Sequence, residues 1–347
     1  MDWPRGRAGR GRSRDRGRPV GAAGGDLGAP QDSKACSPSV DIDSFSDALD
    51  KTSFENTFVG NFSALAFDTD GDLLALGDRS SLFTLDPRTK QPTGLVPLAD
   101  ENGRPLDSEG IVVDGDDTRW IASEVEPSVR RYGPDGTFLG QLPVPDALRV
   151  APVGRATTNL TFEGLSLQPD ARTLIASMEG GLSGDDADVR RFQTWTRNNP
   201  AKEFVLGPQF AYRADSGLDI SEITPIPDGR LLVVERGFAK GVGNTIHLAL
   251  ADPGHADDVS GVENVTARTG VRFAEKTVLA DLAQCPTLGA TAKQPQLNPL
   301  LDNIEGAVVT GADGHRQLEV LLVSDDNENA AQITRFYSLR VTPPKKL

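Results

Sequence analysis

A strand–turn–strand unit recurs five times along the chain, and this repeat restricts the fold more than any other feature of the sequence. Each copy opens with a small or acidic residue, reaches an apolar residue four positions later, turns at a short Asp-containing sequence and returns through an apolar segment. The copies span residues 62–78, 108–124, 162–179, 221–235 and 304–326. Short apolar runs that are separated by such turns predict β-hairpins.

Two more strand-like segments follow each of the first four copies, as "RFQTWTR" and "EFVLGPQFAYR" follow the third. Four strands per repeat, at intervals of roughly 45–60 residues, are typical of β-propeller blades. Glycine and proline are plentiful, at 36 and 24 residues, which also favours short strands over long helices. The interval between the fourth and fifth copies is longer, so five blades and six blades both remain open.

The last repeat lacks an obvious fourth strand, because only "QITRFYSLRV" follows the fifth copy. We expect the N-terminal segment 53–60, "SFENTFVG", to supply that strand and to close the ring. The sequence therefore predicts an all-β fold, a β-propeller with five or six four-stranded blades that is closed by an N-terminal strand and spans residues 36–347.

Residues 1–35 differ from the rest of the chain because they are rich in arginine and glycine and carry a local positive charge. They contain neither the apolar core of a signal peptide nor the aromatic repeat of an RNA-binding tail, so we expect a disordered extension. The remaining chain is strongly acidic, since the net charge of the whole is -14. Such a surface repels phosphate backbones and anionic membranes, so we expect no nucleic-acid binding through the propeller.

No stretch approaches the roughly 18 apolar residues that cross a bilayer, so we expect no membrane span, and we expect a monomer. The two cysteines, Cys36 and Cys285, lie far apart and form no CxxC motif. Either they form a disulfide, which we favour, or they are two separate buried thiols. A disulfide would indicate an oxidising compartment, which means the extracellular space or the cell envelope.

Acidic residues open and close most copies of the repeat. An antiparallel hairpin brings its two ends together, and a propeller gathers the ends of its blades around one channel. We therefore expect a ring of carboxylates. Its members are Glu109, Glu124, Glu163, Glu179, Glu222, Glu235, Glu305 and Asp325, with Ser63 and Asp78 at the corresponding places of the first copy.

Clustered carboxylates repel one another unless cations neutralise them. Calcium fits this chain, because it binds about six to eight oxygen ligands and the three histidines lack zinc-like spacing. Further oxygens are available from Asn159, Asn303 and Asn327. The alternative is that each glutamate hydrogen-bonds backbone amides of a neighbouring blade.

Four segments carry a resemblance to a known family. They read "NFSALAFDTDGDLLALGDRS", "TNLTFEGLSLQPD", "DISEITPIPDGRLLVVERGFAKGVGNTIHL" and "DNIEGAVV". The chain resembles, from about residue 40 to 340, the phytase-like family (esterase-like activity of phytase) of secreted bacterial propeller proteins. The resemblance implies a β-propeller, export from the cytoplasm and calcium-dependent hydrolysis of phosphate esters or other small-molecule esters.

Under this resemblance the acids of the ring bind metal, with Glu163, Glu222 and Glu305 as the catalytic candidates. Arg79, Arg236 and Lys240 are the candidates that hold the substrate phosphate. No GxSxG motif is present, which argues against a serine esterase. A calcium-dependent hydrolase and a non-catalytic, calcium-stabilised propeller that binds a ligand or protein both remain open.

Overall fold

The computed structural model describes residues 34–313 and 316–346. Within them the chain forms 23 strands and three short 3₁₀ helices, which span Asp146–Leu148, Pro253–His255 and Leu282–Gln284. The all-β prediction is therefore confirmed. The predicted disordered extension lies outside the described residues, except for its last two positions.

Four short strands precede the first blade. They are β1 (Ala35–Ser37), β2 (Val40–Ser46), β3 (Thr52–Phe54) and β4 (Thr57–Val59). Strands β3 and β4 pair only with each other, whereas β1 and β2 join a sheet at the other end of the chain.

The remaining strands form the blades in chain order. Blade 1 contains β5 (Phe62–Phe67), β6 (Leu73–Gly77), β7 (Ser81–Leu85) and β8 (Pro92–Pro97). Blade 2 contains β9 (Ser108–Val113), β10 (Arg119–Ser123), β11 (Ser128–Tyr132) and β12 (Phe138–Gln141). Blade 3 contains β13 (Phe162–Leu167), β14 (Thr173–Met178), β15 (Val189–Thr196) and β16 (Val205–Arg213). Blade 4 contains β17 (Asp219–Pro225), β18 (Leu231–Ala239), β19 (Gly243–Asp252) and β20 (Glu275–Asp281). Blade 5 contains β21 (Asn303–Ala312), β22 (Leu318–Asp325) and β23 (Phe336–Val341), joined by β2 and β1.

The hydrophobic core lies between the blades. Each of the five pairs of adjacent blades shares one cluster of buried apolar side chains, including the pair formed by blades 5 and 1. There Phe62 packs against Phe83 edge to face, with ring centroids 5.7 Å apart, and also contacts Phe336 of blade 5. Because every blade is covered on both faces by its neighbours, the five blades form a closed ring.

An N-terminal strand closes the ring, as predicted, but the strand is β2 and not the segment 53–60. Strand β2 pairs with β23, with Ile42 opposite Leu339. Its buried Val40 and Ile42 alternate with more exposed residues, which suits a strand with one covered face. The prediction for 53–60 is wrong because Glu55 and Asn56 adopt positive φ angles (49° and 63°), which turn the chain into the β3–β4 hairpin.

The long interval before the fifth copy contains no sixth blade in the part of the chain that the structure describes. It contains two long connections, residues 253–274 and 282–302. The first returns to blade 3, where Val259 and Val265 pack against Val189 and Ala211. The sequence could not distinguish such insertions from a degenerate blade.

Cys36 and Cys285 form a disulfide, as predicted. Cys36 lies in β1, and Cys285 directly follows the third 3₁₀ helix at the end of blade 4. The disulfide therefore ties the strands that close the ring to the preceding blade. Among the described residues, no helix is both long enough and apolar enough to cross a membrane.

Candidate active site and metal centre

The innermost strand of every blade contains a β-bulge near its start. In β5 the pairing with β6 moves from Phe62 directly to Ala64. Three of the equivalent strands also skip one residue, and β13 skips two, from Phe162 to Leu165. A bulged residue leaves the ladder, which redirects its side chain. The bulges include Ser63, Glu109, Glu163, Ser221 and Glu305.

The second strand of each blade brings another side chain to the same end. In blade 1, Phe62 pairs with Gly77, so the next residue, Asp78, lies beside the bulge. The same register in the other blades selects four further residues. They are Glu124, Glu179, Arg236 and Asp325.

Eight of these ten side chains, all except Ser63 and Ser221, line a pocket of about 290 Å³ where the blades meet. The pocket is lined by Asp78, Asp107, Glu109, Glu124, Asn159, Glu163, Glu179, Arg236, Asn303, Glu305, Asp325 and Asn327. Six of the predicted ring acids come together here: Glu109, Glu124, Glu163, Glu179, Glu305 and Asp325. The three asparagines that were expected to add oxygens also line the pocket.

Glu222 and Glu235, the other two predicted ring acids, lie outside this pocket. The pairing in blade 4 moves from Ile220 opposite Glu235 to Glu222 opposite Val234. Ser221 and Arg236 therefore occupy the ring positions, each one residue away from the predicted acid. Because side chains alternate across a strand, a shift of one residue sends Glu235 to the other face.

Glu222 directly follows the bulged Ser221. The other inner strands have small residues at the corresponding position. Those residues are Ala64, Gly110, Gly164 and Gly306. The small residues allow neighbouring inner strands to touch, because a Cβ added at Gly164 would lie 2.5 Å from Ile223 N. The Glu222 carboxylate accepts a hydrogen bond from Ile223 N (2.8 Å) and lies near the backbone N–H groups of Leu165 and Ala307 in adjacent blades. This arrangement matches the alternative expectation, in which a glutamate hydrogen-bonds backbone amides of a neighbouring blade.

Glu235 belongs to a hydrogen-bonded network on the opposite face of β18. Its carboxylate accepts hydrogen bonds from Tyr212 Oη (2.5 Å) and Asp215 N (3.0 Å) and contacts Lys276 Nζ at 2.5 Å. His247 Nδ1 lies 2.7 Å from Asp215 Oδ2 in the same network. The oxygen atoms of Glu235 are therefore satisfied within the fold.

The positive charge of Arg236 offsets part of the negative charge of the pocket. Its guanidinium lies 3.1 Å from Glu179 Oε1, 3.4 Å from Glu305 Oε1 and 4.0 Å from Glu163 Oε1. It also donates a 2.7 Å hydrogen bond to Asn303 Oδ1. The charge of Arg236 thus faces the acids of blades 3 and 5.

The acids of blade 2 and of the segment just before it form a close group in the pocket. Ligand oxygens of Asp107, Glu109 and Glu124 all lie within 4.8 Å of one another, and no ion pair joins them to a basic side chain in the described chain. Glu124 also belongs to a second such group with Glu163 and Glu179. Glu124 therefore lies where two groups of carboxylates meet, without an ion pair of its own among the described residues.

Burial raises the pKa of these acids, and mutual repulsion adds to the effect. The pKa of Glu124 rises to about 7, chiefly through burial, and the pKa of Glu179 rises to about 8 despite the favourable charge of Arg236. The pKa values of Glu109 and Glu163 lie well above the usual range for the same reason, with neighbouring carboxylates as the next contribution. Near neutral pH the pocket therefore needs either protons or a bound cation.

The donor set fits calcium. Every residue that lines the pocket, apart from Arg236, offers a carboxylate or amide oxygen, which a hard cation prefers. One of these atoms, Asp78 Oδ1, is buried and accepts no hydrogen bond from the residues that the structure describes. A buried acceptor without a donor is costly, so this atom also suits a bound cation.

The other two predicted phosphate-binding residues lie outside the pocket. The Arg79 side chain is 58% exposed and pairs with Glu328 at 3.3 Å. Lys240 is exposed in the turn between β18 and β19. Of the three candidates, Arg236 is the one that lines the pocket.

Asp107 is a pocket residue that the sequence reasoning missed. It precedes the bulged Glu109 by two positions, and Asn303 precedes Glu305 in the same way. Residues two apart in an extended chain share a face. A polar residue two positions before the bulged residue marks the pocket in blades 2 and 5, whereas Asn61, Thr161 and Asp219 at the same place in the other blades do not line it.

One curated relative and two solved structures are similar to this chain. The chain is 26% identical to an uncharacterized secreted protein of Arthroderma benhamiae over a region that covers 26% of this chain and 23% of that protein. Two solved chains, one provisionally assigned as a gluconolactonase and one a gluconolactonase from Xanthomonas campestris, match with TM-scores of 0.41 at 14% and 12% identity. They cover 80% and 82% of this chain, and 73% of each solved chain is matched.

The family model gives a stronger result because it covers most of the propeller. The model described as "Phytase-like: Esterase-like activity of phytase" matches residues 57–328. That range begins in β4 and ends just after β22, so it includes all the pocket residues. The chain belongs to the phytase-like family.

Proposed function

We propose that this protein is a divalent-cation-dependent hydrolase of phosphate esters or other esters, with calcium as the cation. The observation that carries the proposal is a pocket with eight carboxylates and Arg236 at the meeting point of the blades. Asymmetric charge of this kind suits a cation on one side and a substrate oxygen on the other. Family membership supports the same class of reaction.

Asp107, Glu109 and Glu124 would hold the cation. Their ligand oxygens are already within 4.8 Å of one another. Glu109 and Glu124 are held by strands β9 and β10 of a single blade, so the donor set is largely preformed. When bound, calcium would polarise the ester oxygen and favour ionisation of a nearby water molecule.

Arg236 and Glu163 would act directly on the substrate and the attacking water. The guanidinium of Arg236 is held by Glu179, Glu305 and Asn303, which fixes it for contact with a substrate oxygen. Glu163 is buried, and its nearest basic partner is Arg236 at 4.0 Å. We assign to Glu163 the role of accepting a proton from the attacking water; this needs its carboxylate form, which a neighbouring bound cation would favour.

We also propose that the protein works as a monomer outside the cytoplasm. The ring closes within one chain, so the pocket needs no second subunit. A disulfide persists in oxidising compartments, and Cys36–Cys285 supports the extracellular space or the cell envelope.

Calorimetric titration with calcium, combined with hydrolysis assays, tests the proposal. The full chain would be compared with Glu109→Gln plus Glu124→Gln and with the control Glu203→Gln, whose side chain is 80% exposed. We expect the double variant to weaken calcium binding about tenfold or more and to lose hydrolysis of 4-nitrophenyl phosphate and acetate, while the control keeps both.

Chelation gives the complementary result. We expect EDTA to abolish hydrolysis while circular dichroism shows an intact fold, and added calcium to restore activity. Calcium binding without any hydrolysis would favour the non-catalytic propeller. Absence of calcium binding would overturn the metal-dependent mechanism.

A further inference from the structure

Three exposed apolar side chains lie on two touching segments, the β18–β19 hairpin and the connection that follows blade 4. They are Phe238 at the end of β18, Val242 in the following turn and Leu297 in the connection before β21, with exposures of 58%, 46% and 62%. The segments touch because Asn244 N donates to Gln296 Oε1 at 2.7 Å. We call Phe238, Val242 and Leu297 the apolar lip.

The pleat of β18 places Phe238 on the same side as Arg236. Residues two apart share a face of a strand and are separated by roughly 7 Å. Arg236 lines the pocket, whereas Glu235 points to the opposite face and bonds with Tyr212. The exposed ring of Phe238 therefore lies on the same face of β18 as Arg236, one step further along the strand.

The close contact between the two segments fixes the apolar lip. A Cβ added at Gly243 would lie 2.5 Å from Pro295 O, so only glycine allows this approach, and its φ of 109° also favours glycine. The turn itself is closed by a hydrogen bond from Val242 N to Ala239 O (2.9 Å). An apolar surface held in this way can accept a ligand without first having to become ordered.

The charges around the mouth do not suit a polyphosphorylated substrate. Among the described residues that line the pocket, Arg236 is the one basic residue beside eight carboxylates. The nearby basic side chains Arg79 and Lys51 are already paired with Glu328 and Asp326. Recognition of several phosphates needs several available cations, because each phosphate is held by charge-assisted hydrogen bonds.

We propose that the substrate is an ester that places one small oxygen-rich group in the pocket and packs an apolar acyl or aryl group on the apolar lip. This inference rests on the proposed hydrolase function and specifies its substrate class. Phe238 and Arg236 are two residues apart on one face of β18, roughly 7 Å along the strand, a separation that the charged and apolar parts of one small molecule can span. Exposed aromatic side chains bind flat apolar groups well.

Kinetics with paired substrates test the inference. The full chain with calcium would be assayed on 2-naphthyl phosphate and 2-naphthyl acetate, with glycerol 2-phosphate and inositol hexakisphosphate as polar counterparts. We expect the naphthyl esters to have the higher kcat/KM. Phe238→Ala should raise their KM about fivefold with little change in kcat, because it removes binding that ground and transition states share.

The control variant is Leu139→Ala, which removes an equally exposed apolar side chain (52%) from the outer strand of blade 2. Leu139→Ala should leave the kcat and KM of all four substrates unchanged. Phe238→Ala should leave the kcat and KM of glycerol 2-phosphate unchanged. A preference for inositol hexakisphosphate, or an unchanged KM for the naphthyl esters, would overturn the inference while leaving the hydrolase function intact.

A fluorescence titration with 2-naphthyl phosphate separates the two proposals when no hydrolysis is detected. Absence of hydrolysis overturns the proposed function. Binding that Phe238→Ala weakens about fivefold still supports the apolar lip as the apolar subsite. Equal binding by the wild type and the variant overturns it.

Discussion

Arg236 Nη2 lies 3.1 Å from Glu179 Oε1, so a largely buried ion pair joins the second strands of blades 3 and 4. The same guanidinium contacts Glu305 of blade 5 at 3.4 Å. We expect Arg236→Gln to lower the free energy of unfolding by about 3 kcal/mol at pH 8, because it leaves buried carboxylates without a partner. The loss should be smaller at pH 5.5, where those carboxylates are protonated. Urea unfolding at both pH values measures the difference.

Arg272→Gln is the matched control for this variant. Arg272 also pairs with a carboxylate, Asp257, but its side chain is 69% exposed, so its removal should cost little at either pH. A loss for Arg236→Gln that is equal at the two pH values would contradict the electrostatic explanation.

The propeller was predictable because its signal is local. Each hairpin repeats the same pattern of apolar strands around a turn, and this pattern can be read without knowing which strands pair at long range. The closing strand was not predictable in the same way. Both 40–46 and 53–60 contain strand-forming residues, and the choice depends on pairing with Phe336–Val341 nearly 300 positions later.

The site was predictable to within one residue in blade 4. Ser63 and Asp78 are 15 positions apart, as are Glu109 and Glu124, and Ser221 and Arg236 share that spacing. The predicted pair Glu222 and Glu235 is 13 positions apart. A prediction based only on acidic residues therefore selected Glu222 and Glu235 in place of Ser221 and Arg236. The bulge decides which of two adjacent residues faces the pocket.

The raised pKa values predict that the metal-free protein loses stability as pH rises. The pKa of Asp78 rises from 3.8 to about 7, and that of Glu305 rises from 4.5 to about 8, chiefly through burial in both cases. The folded state therefore holds these protons more tightly than the unfolded state does. The stabilisation that these bound protons give the folded state is complete below about pH 4 and is lost as the pH rises through 7 to 8.

Thermal unfolding in EDTA at pH 5, 6, 7 and 8 measures this effect. We expect the Tm to fall steadily across the series, and calcium at pH 8 to restore most of the loss, because the cation replaces the protons. A Tm that is independent of pH, or one that rises from pH 5 to 8, would show that the pocket does not hold protons in the folded state.

Glu222 provides a test of the distinction between structural and metal-binding acids. Its carboxylate lies against the backbone N–H groups of three inner strands, outside the acidic pocket. We expect Glu222→Ala to lower the free energy of unfolding by about 3 kcal/mol, because it leaves buried donors unpaired. The calcium affinity of Glu222→Ala should differ from that of the wild type by less than about threefold, in contrast to the affinity of the double variant Glu109→Gln plus Glu124→Gln. Urea unfolding and calorimetry on the same preparation would compare the two effects, and a tenfold loss of calcium affinity would place Glu222 among the ligands after all.

The disulfide predicts how strongly the ring depends on its closing strands. Strands β1 and β2 complete blade 5, and Cys36 fastens β1 to Cys285 at the end of blade 4. The double variant Cys36→Ser plus Cys285→Ser should lower the free energy of unfolding by about 3 kcal/mol, because the covalent link restricts the unfolded chain. A reducing agent should destabilise the wild type by the same amount and leave the double variant unchanged in urea unfolding. Calcium affinity should stay the same in both, since the pocket is formed by the inner ends of the blades. If reduction destabilises the double variant as well, the effect of the reducing agent does not come from this bond.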